Sequence, residues 1–144
     1  MALKGDRDVL QTDISYFLNE TAEKGQVVSI STQGSGAAMD NSSALATVAA
    51  EASGATPLGV VLNDVVNIDQ TRQHINWHKD EVQQGGKITI LTKGTVVTDQ
   101  ISGTPTAGQT AYLADSGLIA GTQDGTALAI GRFLSTDRKS TRLN

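Results

Sequence analysis

No cysteine occurs in the 144 residues. Disulfide frameworks, thiolate zinc centres and cysteine nucleophiles are excluded together. Aromatic side chains are nearly as scarce, with only Tyr16, Phe17, Trp77, Tyr112 and Phe133. A core must therefore be built from Val, Ile, Leu and Ala. No apolar run approaches the roughly 20 residues that span a bilayer as a helix. The opening "MALKGDRDVLQTD" is polar and charged, unlike a signal peptide. Neither export nor a membrane partner is expected.

Positive charge is also in short supply. Eleven Lys and Arg stand against fifteen Asp and Glu, a formal charge of −4. The last eight residues, "DRKSTRLN", carry Arg138, Lys139 and Arg142 against Asp137, so the rest of the chain is more acidic still. Such a surface repels phosphate backbones, and no basic patch interleaved with aromatics offsets it. Nucleic acid is not an expected partner.

Glycine is abundant, at 15 residues, and Ser and Thr are frequent. These residues favour turns. "GTPTAGQTAYLADSGLIAGTQDGTALAIGRFL" (103–134) alternates short apolar clusters with Gly, Thr, Ser and Asp, and no cluster is long enough for a helix. "GQVVSIST" (25–32), "PLGVVLNDVVNID" (57–69), "KITILTKG" with "TVVTDQI", Gln109–Ala114 and "TALAIGRFL" read as strands. "ALATVAAEASG" (44–54) suits a short strand, although its alanines favour helix. A bend or bulge is expected at Gly94 between the two central segments, and Asp115-Ser116-Gly117 is a three-residue hairpin signal.

The predicted fold is all-β, a small antiparallel β-barrel or sandwich with an N-terminal arm. Residues 1–20 form the arm and 21–136 the β domain. The expected core is Val27, Ile30, Val60, Leu62, Ile88, Ile90, Val96, Leu113, Ile119, Leu128 and Ile130. Alternation puts Ile88 and Ile90 on one face and Leu91 on the other.

Catalytic constellations are not evident. In "HINWHKDE" (74–81), His74 and His78 are four apart, as two zinc ligands on a helix would be. A zinc peptidase also needs Glu after the first His to activate the metal-bound water, and Ile75 stands there. A solvated loop anchored by Trp77 is the plainer reading. "QGSGAA" and "QQGGK" lack the frame of a phosphate loop, since Ile88 follows Gly86–Lys87. No hydroxyl neighbours a His–Asp pair. The expectation is a non-enzyme with no catalytic residue, no cofactor and no bound metal.

"GDRDVLQTDISYFLNETAEKG", "PLGVVLNDVVNIDQTRQHINWHKDEVQQGGKITILTKGTVVT" and "GTPTAGQTAYLA…GRFLS" together resemble the capsid decoration (head cement, or stabilisation) proteins of tailed bacteriophages. The likeness spans residues 5–136. It implies a virion protein, made in the host cytoplasm, that binds the outer surface of the expanded capsid and staples neighbouring major capsid subunits. A homo-oligomer is implied as well, with a trimer the expected number. After "GRFLST" the chain departs from that pattern, and residues 137–144 look like a translated sequencing adapter.

The apolar residues Val9, Leu10, Ile14, Tyr16, Phe17 and Leu18 suit a short amphipathic helix or an extended arm, and either a terminal segment packed on its own domain or the partner-binding arm expected here, with Trp77 a further candidate. Aromatics in a chain so poor in them belong in a core or an interface. An arm ordered mainly by its partner could be deleted without unfolding the body. Two other readings stay open. One is a different phage structural module, such as a head fibre base or tail-associated β domain. The other is a carbohydrate-binding β-sandwich that uses Trp77 and Tyr112 to stack on sugars.

Overall fold

The computed structural model describes residues 8–31, 45–64, 68–69, 74–75, 81–82, 84–136 and 141–143. Among these residues the chain is all-β, apart from one 3-10 turn at Asp115–Gly117. The strands are β1 (Asp8–Asp13), β2 (Phe17–Leu18), β3 (Ala22–Glu23), β4 (Val27–Ser31) and β5 (Leu45–Thr47). Next come β6 (Pro57–Asp64), β7 (Ile68–Asp69), β8 (His74–Ile75), β9 (Glu81–Val82) and β10 (Ile88–Val96). The last are β11 (Ile101–Ser102), β12 (Thr110–Leu113), β13 (Ile119–Ala120), β14 (Ala129–Phe133) and β15 (Thr141–Leu143). One sheet runs β11-β13-β12-β14-β15-β10-β6-β4-β5-β2, with β1 added on β10. Two ribbons, β3–β9 and β7–β8, stand apart from it.

Strand β10 is the axis of the molecule. It pairs with β6 along Ile88–Leu91 and with β15 along Gly94–Val96. The N-terminal segment also runs antiparallel to it. β1 lies opposite residues 90–95, the Ile88 amide donates to the Tyr16 carbonyl at 3.2 Å, and Phe17 bridges to Lys87. Since β2 also pairs in parallel with β5, that bridge ties the end of the sheet path back to the start of β10. β2, β5, β4, β6 and β10 thereby close on themselves. The sheet as a whole curls into a half-barrel.

Two cores result. One gathers Leu18, Val28, Ala46, Val61, Ile88 and Ile90, the other Val27, Val60, Leu91, Leu113, Ile119 and Phe133. Successive side chains of a strand point to opposite faces. Hence Val27 and Val28, Val60 and Val61, and Ile90 and Leu91 divide between the two cores. This explains the continuous apolar runs in "QVV", "GVVL" and "ITIL", which belong to strands buried on both faces. Each large side chain so enclosed contributes about 1.5–3 kcal/mol.

Most of the expected core is found in place, and Ile88, Ile90 and Leu91 take their expected faces. Ile30 and Leu128 are exposed instead. Next to Leu128 it is Ala127 that turns inward. Ile130 is half-buried and packs on the edge of the Phe133 core. The two central segments are a single strand, β10, with Gly94 inside it rather than a break between strands. Residues 8–18 do not stand clear of the body: the first half pairs along β10 and the second half enters a core.

Candidate partner-binding surface

β1 is held to β10 by main chain and by two local devices. Gly94 has φ +147, and a Cβ there would lie 2.1 Å from the Asp8 carbonyl oxygen. The strands approach this closely only because position 94 has no side chain. The Thr92 hydroxyl donates to the Gln11 carbonyl at 3.1 Å. Register shifts at Val9/Gln11 and Gln11/Thr12 interrupt the ladder, as bulges do on edge strands.

At the end of β1 the chain turns on Asp13. Its Oδ1 accepts from the Ser15 amide at 2.8 Å and from the Ser15 hydroxyl at 2.5 Å. These bonds, the hydroxyl's first, hold the Asp13 carboxyl below its ordinary pKa, so it stays ionised. Tyr16 then packs half-buried against the Leu18 core. The Lys87 ammonium sits 5.5 Å from the Phe17 ring centroid, a cation–π contact. Leu18 is fully buried.

The seven candidate residues therefore divide by environment. Val9, Leu10 and Ile14 are 43%, 68% and 53% exposed, and every β1 side chain from Asp8 to Thr12 is exposed. Tyr16, Phe17 and Leu18 fasten the segment to its own domain. Trp77 lies outside the described residues, as does His78. His74 is in a strand, paired with Asp69, rather than on a helix. Among the described residues no three His, Cys, Asp or Glu are placed to hold a metal ion.

Clefts lined by described residues include two that open on the surface. One of about 150 Å³ is lined by Val27, Leu58, Gly59, Leu91, Thr92 and Ile130 and has no ionisable wall. The other, about 330 Å³, has Asp115 and Asp124 on its rim. The Asp115 carboxylate already accepts from the Ala52 amide at 2.8 Å. Neither arrangement pairs a nucleophile with a base.

Over residues 8–142 the chain matches the family described as structural cement protein (E217 gp24/Pam3 gp6). The chain belongs to this phage structural cement family. No curated protein matches it. The cement match begins at the first residue of β1 and ends within β15, so both outer partners of β10 lie inside it. Cement-family membership places the chain among virion structural proteins that associate with capsid subunits. It also fits a surface on which the most open large apolar side chain among the described residues, Leu10, is on a strand.

Sequence reasoning found the apolar character of residues 9–18 but not its division. The signal that separates the halves is Gly94, whose role depends on a carbonyl more than eighty residues away. The Lys87–Phe17 contact is equally non-local.

Proposed function

We propose that the chain attaches to the outer surface of the expanded capsid and ties neighbouring major capsid subunits together, with no chemistry of its own. The observation that carries this reading is β1. Its side chains from Asp8 to Thr12 are all exposed, yet they include Val9 and Leu10. Ordered apolar residues that stay this open on their own domain are typical of an interface. Ile14 continues the surface, and Trp77 is a further contact in this proposal. The protein acts as a homo-oligomer, a trimer, because several weak attachments on one particle add up by avidity. It is made in the host cytoplasm and ends on the virion.

Co-sedimentation with purified expanded capsids lacking the protein tests this directly. Saturable binding is expected, at a fixed ratio to the major capsid subunit, with capsids that resist heat and low salt better once coated. Failure to sediment with capsids, together with retention on a polysaccharide column, would replace this reading with the carbohydrate-binding one. Light scattering that gives a monomer both free and after release from capsids would remove the trimer.

A further inference from the structure

We infer that the outer edge of β1 is a strand-pairing site, and that its occupant is an extended segment of a capsid subunit carrying Lys or Arg. The inference rests on the capsid reading above and specifies how contact is made. Among the described residues, β10 is the only strand bonded to β1. Among the described residues the opposite edge of β1, Asp8 to Asp13, therefore has no strand partner for its outward amides and carbonyls. An edge of this kind is a template for another strand.

Proteins commonly protect such edges, and the two register shifts in β1 act in that direction. A fully protected edge would not also expose Val9 and Leu10 at 43% and 68%. The remaining question is what pairs there, and charge answers it. Suppose a second copy joined about a two-fold axis in the register that pairs all six residues. Asp8 would then face Asp13 at both ends. Like charges directly opposite destabilise a pair, and the Ser15 bonds keep Asp13 ionised. The chain is acidic as a whole, at −4, which adds to the repulsion. β1 itself, "DVLQTD", has no cationic residue. Its sequence thus disfavours its own copy and favours a strand with basic residues at both ends and an apolar or Thr-rich middle.

The test is hydrogen–deuterium exchange of the full chain, free and bound to expanded capsids. Peptides covering residues 8–13 should slow by about tenfold or more on binding, as outward amides become bonded. Binding with unchanged exchange in 8–13 would overturn the strand-pairing inference and leave the capsid reading intact. No binding at all would overturn both. A variant, Asp8→Lys, addresses the occupant's charge without touching a buried group. Its capsid affinity should fall by about threefold to tenfold, with a shallower salt dependence. Equal or tighter binding would show that the partner strand is not basic.

Discussion

Gly94 and Gly86 lie eight positions apart, and their surroundings are opposite. At Gly94 an added Cβ meets a backbone carbonyl at 2.1 Å with φ at +147, whereas at Gly86 it meets nothing within 4 Å. A backbone oxygen cannot swing away as a side chain can, so Gly94→Ala should cost about 2–3 kcal/mol and loosen β1. Gly86→Ala should be neutral or stabilise by about 0.4–1 kcal/mol through the unfolded chain. Paired thermal melts separate the two outcomes. Ser29 presents the converse case, a buried hydroxyl with no hydrogen-bond partner among the described residues. Ser29→Ala removes the desolvated oxygen and little volume, so stability should rise by about 1 kcal/mol in urea titrations. Asp13 sets a pH dependence. Its pKa is lowered in the fold, so its contribution is present above the unfolded value of about 3.9 and is lost as pH falls through the folded value. In Ser15→Ala that acid-side loss should shrink, a change visible in melts between about pH 5 and 2.

Elements whose cause is local were legible in the sequence, and those whose cause is distant were not. The β12–β13 hairpin follows from Asp115-Ser116-Gly117, where Ser116 takes φ 58 and Gly117 φ 69. Turn chemistry of that kind is written in adjacent residues. β5 was legible as a short strand within 44–54, whereas β2 has two residues and is a strand only because of partners contributed by distant segments. No window of sequence contains that information. β10 read as two segments because Gly94 resembles a break, while its actual reason is the Asp8 carbonyl. The side-chain clamp on the loop before β12 was also invisible. Gln109 Oε1 accepts from the Thr106 amide at 3.0 Å, and its Nε2 donates to the Gly121 carbonyl at 2.7 Å. One amide thus bonds the turn before β12 to the residue just after β13. Gln109→Ala should cost about 1–2 kcal/mol and raise amide exchange in 103–109, while exchange in β6 stays unchanged.

At the scale of the whole molecule the question is where the body ends and the attachment begins. The sequence suggests a boundary near residue 20, with everything before it dispensable for folding. The burial of Tyr16 and Leu18 instead predicts a boundary at about residue 13. Among the described residues, truncation before Ile14 removes only β1, whose side chains are exposed except for the half-buried Asp13. The backbone groups it leaves on β10 can bond to water instead. A chain beginning at Ile14 should therefore melt within a few degrees of the full chain. Truncation before Asn19 is different in kind. It removes Leu18, fully buried, and Tyr16, packed on the same core. It also removes the Phe17–Lys87 bridge that closes β2, β5, β4, β6 and β10. Loss of one buried leucine alone costs about 2–5 kcal/mol, against a total stability of about 5–15 kcal/mol for a domain. With the closure lost as well, the shorter chain should show no cooperative transition. Circular dichroism melts of the two truncations, each paired with capsid co-sedimentation, decide the matter. The chain starting at Ile14 should fold and bind capsids at least about tenfold more weakly, because the edge and two of its apolar side chains are gone. If it folds and binds as tightly as the full chain, attachment lies elsewhere on the barrel. If it unfolds, β1 belongs to the body, and its exposed leucine and valine need another explanation.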